Sequence, residues 1–283
     1  MDDSDLDLRL RGKTYVCCVG VQKAGTTWLN DYLDGHPGIY MAPRKELHYF
    51  DSVHAGKTTK IEATTIRQLK RHLDNIDENG PIAYSDKLTE AMDILRMHYD
   101  AHGYAQYFAR RANNHKFFGE ITPSYCIIGR EGFGHMRSLF PRVKIIYLMR
   151  DPVDRHYSLM RMAEETQNEP GFAIRNFLPS LDRPFARNMG DYGAHVEALK
   201  SVFTPDELHI GFYETLFTEA EIRRLCNFIG VDFRPADFGT RINPTNVATT
   251  VGDELISAAR RKLNGTYAFC RSEFPDLPAA WRL

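Results

Sequence analysis

The sequence predicts an α/β fold of three layers, a P-loop-like arrangement with a central parallel sheet flanked by helices. Three observations predict it. A buried apolar run, Tyr15-Val16-Cys17-Cys18-Val19, passes through a glycine-containing turn into the helix-like Thr27-Trp28-Leu29-Asn30-Asp31-Tyr32-Leu33. Runs of strand length then alternate with segments of helical periodicity, the pattern of a parallel sheet covered on both faces. Finally, Gln22, Glu120 and Arg150 each fall just past a predicted strand end. Ligands in such sheets sit outside the carboxyl ends of the strands.

Taken in order, the first strand leads into Val19-Gly20-Val21-Gln22-Lys23-Ala24-Gly25-Thr26-Thr27-Trp28. Strand, glycine turn and helix N-terminus gather backbone N–H groups around one point, with Thr26 or Thr27 placed to cap the helix. The helix dipole adds positive potential there. Asp51–Lys60 reads as a polar linker, and Thr64–Leu73 and Leu88–Arg111 read as helices. Lys116–Glu120 is a short strand stopped by Thr122-Pro123-Ser124. Val143–Met149 is the clearest central strand, broken by Arg150-Asp151-Pro152 ahead of a helix. A helix at Tyr192–Phe203 presents Tyr192, Val196, Leu199 and Phe203 on one face, and a strand follows at Leu208–Tyr213. Glu219–Ile229 is helical, Asn243–Thr250 is a polar loop, and Asp253–Phe269 forms a last helix.

The chain of 283 residues reads as a single domain, 1–283, with residues 1–12 expected as a flexible tail. Lys+Arg 36 against Asp+Glu 37 leaves no global charge to draw nucleic acid or a membrane surface, so an anionic ligand needs a local positive pocket. No apolar run approaches the ~18 residues of a membrane span. The acidic Met1-Asp2-Asp3-Ser4-Asp5 lacks the regions of a signal peptide, and five cysteines fit reduced thiols better than a disulfide framework or a zinc site. A cytoplasmic location is expected.

The phosphate loop differs from that of nucleotide triphosphatases. Gly20 and Gly25 keep the glycine spacing of G-x-x-x-x-G-K-[ST], yet Thr26 occupies the lysine slot and Lys23 lies inside the loop. An anion is expected here, a γ-phosphate with magnesium is not. Past the central strand, Arg150 supplies a guanidinium fork, and Ser158 lies about two helical turns further on, suitable partners for a second phosphate.

Together, Gln22-Lys23-Ala24-Gly25-Thr26-Thr27-Trp28 and Arg150-Asp151-Pro152-Val153-Asp154-Arg155-x-x-Ser158 resemble the sulfotransferases that use 3′-phosphoadenosine 5′-phosphosulfate (PAPS). The likeness runs from about Lys13 to the last helix. It implies that the first loop holds the 5′-phosphosulfate, that Arg150 and Ser158 hold the 3′-phosphate, and that adenosine 3′,5′-bisphosphate (PAP) is the product. It assigns Lys23 to the bridging oxygen, where one positioned cation is worth ~10²–10³ in rate; the alternative is a solvated loop lysine. Trp28 aligns with a position that stacks on adenine, although a first-turn tryptophan also reads as core.

Lys45-Glu46-Leu47-His48-Tyr49-Phe50-Asp51 resembles the E-x-H-[FY]-F-D segment of the carbohydrate branch, which includes the heparan sulfotransferases. Glu46 is thereby the expected general base for in-line attack by a hydroxyl, with His48 catalytic or orienting and Asp51 a neighbour that binds substrate. The competing readings are a surface carboxylate paired with Lys45 or Arg44, and a histidine packed on an aromatic strand. Phe118–Tyr125 resembles a segment lining the acceptor cleft, which makes Glu120 and Tyr125 candidate substrate contacts; Ile121 replaces the expected lysine and disfavours a highly sulfated acceptor. Arg241 lies where relatives close over the 3′-phosphate, while Arg155 and Arg161 read as solvated or as salt-bridge partners within their helix. The acceptor is expected to be a saccharide, a glycolipid or a small-molecule alcohol, with no metal. A P-loop kinase, with Asp151 holding magnesium, and a non-catalytic PAP sensor are the alternatives.

Overall fold

In the computed structural model, which describes residues 3–55, 58–74, 85–99, 102–112, 114–239 and 249–282, the sheet grows outward from its most buried strand. That strand, β1 (Thr14–Gly20), has every residue buried. β2 (Ile39–Met41), β3 (Phe117–Ile121), β4 (Val143–Met149) and β5 (Leu208–Phe212) complete a five-stranded sheet in the order β2-β3-β1-β4-β5. All four pairings are parallel. The chain leaves β1 toward β3 on one side and later returns to β4 on the other, so strand order reverses at β1. That reversal opens a crevice at the carboxyl ends of the strands.

Register decides what meets there. Cys17 pairs with Glu120 and Ile145, and Cys18 pairs with Ile121 and Ile146. The loops after β1, β3 and β4 therefore begin at one level. Helices cover both faces, as a parallel sheet buried on both sides requires. Below the crevice, Tyr15 stacks on Phe140 at 4.3 Å between ring centroids, and its hydroxyl meets that of Tyr104 at 2.6 Å.

β1, β3, β4, β5 and the helices Thr26–Asp34 and Glu219–Ile229 fall where the sequence places them, while β2 was not expected. Several elements do not. The linker expected at Asp51–Lys60 includes most of a helix, Tyr49–Ala55, with Tyr49, Phe50, Asp51 and Ser52 buried. The single helix expected over Leu88–Arg111 is two, Ser85–Arg96 and Gly103–Arg111, and the last helix divides at Leu263 into Asp253–Lys262 and Asn264–Glu273. Within the expected N-terminal tail, Asp3–Leu10 is helical and seats Leu6 and Leu10 in the core. The expected side-chain cap by Thr26 or Thr27 is absent: Gly25 is the N-cap residue, at φ 80°, and no side chain caps that helix. All five cysteines are free and buried. Among the described residues no helix is long and apolar enough to cross a membrane.

Gly119 sits in the middle of β3, opposite Val16 of β1. A Cβ there would lie 1.7 Å from the Val16 carbonyl oxygen. Gly119→Ala should therefore force the two strands apart and cost ~2 kcal/mol or more, measurable as a lowered midpoint in urea unfolding; an unchanged midpoint would contradict the register described above.

Candidate active site

The loop after β1 turns on Gly25, where a Cβ would meet Leu216 Cδ2 at 2.7 Å, so only glycine fits both the space and the left-handed backbone. With no side-chain cap, the first-turn N–H groups of the Thr26–Asp34 helix are left to a ligand. Gln22, Lys23 and Thr27 are half-buried along this loop, and Ala24 and Thr26 are buried. Lys23 has φ 71°. Its pKa is lowered, first by burial and then by the Arg150 charge.

Arg150 joins the second motif to the first. It leaves β4 directly, donates from Nη1 to the Lys23 carbonyl at 3.1 Å, and lays its guanidinium 4.3 Å over the Tyr213 ring. Its Nε is buried and has no hydrogen-bond partner among the described residues. A buried donor left without a partner costs free energy, and an anionic acceptor relieves that cost. Asp151 caps the Pro152–Gln167 helix: Oδ1 accepts from Val153 N and Asp154 N at 3.0 Å and from the Tyr267 hydroxyl at 2.8 Å. One carboxylate oxygen is thus taken by the helix start, while Oδ2 faces Arg260 Nη2 at 4.0 Å. Ser158 lies half-buried two turns along that helix.

The third segment runs beside β3. Ala42 N donates to the Gly119 carbonyl and Glu46 N to the Ile121 carbonyl, at 2.8 and 3.1 Å, which carries Glu46 to the end of that strand. Glu46 (φ 66°) and His48 (φ 57°) are both left-handed. Glu46 Oε1 lies 2.8 Å from Lys45 Nζ and Oε2 lies 3.4 Å from His48 Nε2. His48 Nδ1 is held at 2.9 Å by Asp51 Oδ2, which also accepts from Ser124 Oγ at 2.6 Å. Burial alone would raise the Glu46 pKa, but His48 and Lys45 outweigh it and bring it down to about 2. Burial likewise opposes the His48 charge, yet Asp51 and Glu46 raise its pKa to about 9. Glu46 is a carboxylate and His48 an imidazolium at neutral pH.

Asp51, Glu120 and Tyr125, expected as substrate contacts, are all buried at 0 or 1% exposure. Glu120 accepts from Tyr104 and Tyr125 hydroxyls at 2.5 and 2.7 Å, Thr122 Oγ1 at 2.6 Å and Leu47 N at 2.9 Å. Burial raises its pKa, and these bonds partly offset the rise. Tyr125 in turn accepts from Tyr49 N at 2.9 Å. Through Leu47 N, His48 Nδ1 and Tyr49 N, all three are bonded to the Glu46 segment. Ile121 is also buried. Arg155, read as solvated or salt-bridged within its helix, is a buried residue of the Pro152–Gln167 helix at 2% exposure.

Trp28 is packed, 5.8 Å from both Tyr32 and Phe238 in stacked geometry, with Nε1 donating to the Asp237 carbonyl at 3.1 Å. Glu46 is ion-paired with Lys45, as the alternative reading has it, while remaining at the crevice. Arg241 lies outside the described residues. Residues that sequence reasoning missed are Ser124, Tyr213 and Tyr192, whose hydroxyl donates to the Arg150 carbonyl at 2.8 Å. Ser124 lies within the Thr122–Tyr125 stretch already singled out, and Tyr213 directly follows β5, so the strand-end rule reaches both.

The fold and the converging loops define an α/β crevice in which the loops after β1 and β4 meet. The sequence profile of the Sulfotransferase family matches residues 16–235, and the chain belongs to that family. The sulfotransferase from Alicyclobacillus acidocaldarius superposes with TM-score 0.63 at 19% identity, over 95% of this chain and 98% of that one. The sulfotransferase domain of the Synechococcus PCC 7002 olefin synthase (TM-score 0.48, 21% identity, 94% and 95% covered) and mouse sulfotransferase SULT7A1 complexed with PAP (0.49, 15%, 99% and 92%) are more distant in shape. No curated protein matches the chain.

The His48 pair predicts a pH signature. Its folded pKa, about 9, lies above the ordinary 6.5, so the stability it contributes is fully present below 6.5 and is lost as pH rises through 9. In urea unfolding, wild type should exceed His48→Gln by a margin that is largest near about pH 6 and shrinks by about pH 10; a margin independent of pH would mean His48 is uncharged.

Proposed function

We propose that the chain transfers a sulfuryl group from PAPS to a hydroxyl of a carbohydrate, glycolipid or small-molecule alcohol, with PAP as the product. The observation that carries this reading is the contact of Arg150 Nη1 with the Lys23 carbonyl, which brings the two phosphate motifs into one site. The family match supports sulfuryl transfer in general. PAPS carries a sulfuryl group on a phosphate and a second phosphate on its ribose, so it needs two anion sites and no triphosphate lysine.

The loop Gln22–Trp28 would hold the 5′-phosphosulfate with its N–H groups. The buried Nε of Arg150 fits an anion, and Arg150 with Ser158, and by resemblance Arg241, would hold the 3′-phosphate. Lys23 stabilises charge on the leaving oxygen, a role suited to an ammonium already partly desolvated. Glu46 takes the acceptor proton. A carboxylate at about 2 is too weakly basic while two cations hold it. Lys45, half-buried on a flexible stem, is the contact that gives way on acceptor binding, and its departure raises the basicity of Glu46. His48, fixed by Asp51, orients the carboxylate.

Radiolabelled PAPS offered with a heparan-type saccharide, a glycolipid and simple alcohols, with and without EDTA, tests the whole reading. Transfer unaffected by EDTA is expected; dependence on magnesium would support a kinase, and binding without transfer a sensor. Lys23→Ala and Glu46→Gln should each lower turnover on the order of 10²-fold, Glu46→Gln with PAP affinity nearly intact. Most activity retained in Glu46→Gln would move the base elsewhere. Arg150→Ala should weaken PAP binding in calorimetry by ~10-fold or more, and unchanged affinity would remove it from the 3′-phosphate.

A further inference from the structure

Met162 lies one turn beyond Ser158 on the Pro152–Gln167 helix, and its Sδ is 3.6 Å from Lys23 Nζ. It is 38% exposed. Of the other described methionines, Met92 is exposed, while Met41, Met97, Met136, Met149, Met160 and Met189 are buried. A thioether is a weak acceptor, so this contact leaves the ammonium at the disposal of a ligand. A sulfoxide at the same place is polar and presents an oxygen to Lys23.

We propose that Met162 is a peroxide-modification site whose oxidation withdraws Lys23 from the reaction, an inference that rests on the role given to Lys23 above. The Met162 sulfur lone pair attacks one oxygen of a hydroperoxide. The S–O bond forms as the O–O bond breaks, and the departing hydroxide or alkoxide takes up the proton of the transferred OH to leave as water or an alcohol. Sulfur loses two electrons and the peroxide gains them. The new oxygen accepts a hydrogen bond from Lys23 Nζ and holds the ammonium on the helix side of the loop. Because methionine sulfoxide is reducible by its reductases, the change is reversible.

Dilute hydrogen peroxide followed by peptide mass spectrometry should place oxygen on Met162 and Met92 before the buried methionines. PAP release from PAPS, with the acceptor that responds in the panel above, should fall on the order of 10²-fold, the loss expected when one preorganised cation is withdrawn. Methionine sulfoxide reductase should restore it, and Met162→Leu should show no peroxide sensitivity. Acylation of Lys23 by acetic anhydride, which needs no acceptor, should slow on oxidation because the sulfoxide favours the charged amine. Unchanged turnover and unchanged Lys23 acylation with Met162 fully oxidised overturn the proposal. Full turnover in Lys23→Ala would instead overturn the proposed function, a distinct result.

Discussion

The buried carboxylate of Glu120 is the constraint on which the crevice depends. A carboxyl group with 1% exposure is costly unless its oxygens are satisfied. Here the donors come from four places: the Gly103–Arg111 helix through Tyr104, the turn after β3 through Tyr125, the strand exit through Thr122, and the Glu46 segment through Leu47 N. None of these elements can shift without leaving a donor or an oxygen bare. Tyr125 passes the restraint to Tyr49 N, and so to the start of the helix that carries Asp51. The position of Glu46 at the end of β3 is therefore set from beneath, by buried groups.

Above that foundation the backbone is held out of its preferred range. Lys23, Glu46, His48 and Asn168 are the described non-glycine residues with positive φ. Three of these four belong to the candidate chemistry. Each such conformation costs on the order of 1–3 kcal/mol and persists where surrounding structure over-determines it. The Arg150 fork on the Lys23 carbonyl and the Glu46 N bond to Ile121 are the restraints that do so. The site's electrostatics follow the same logic, since Glu46 and His48 keep opposite charges only because each lies against the other and against Lys45 or Asp51.

Much of this was legible in the sequence. The apolar run before Gly20 and the one before Arg150 are long enough to read as central strands, and the residues just past them are the ones that meet. Other parts were hidden for physical reasons. β2 is three residues long, too short for any periodicity. The Gly129–Leu139 helix contains three glycines, which suppress its propensity although Phe133 and Met136 are buried. Tyr49–Ala55 has an aromatic start and no capping residue, so it reads as a loop. The burial of Glu120 was not legible because the strand-end rule gives a level along the sheet and not a face, and β3, buried throughout, offers no alternation to tell one face from the other.

The sheet order has a kinetic consequence. β1 joins strands that begin roughly 100 residues away or more, at Phe117 and Val143, and the groups of the crevice are separated by similar lengths of chain. Closing such loops is slow, and little of it is repaid until the central pairings form. Helical content should recover early in refolding, while the Arg150–Lys23 contact can appear only once β1 and β4 are in register. Recovery of anion affinity is thus a clock for the last stage of folding, and a nascent chain emerging from the ribosome has no working crevice until β4 and the helix behind it are free to pair.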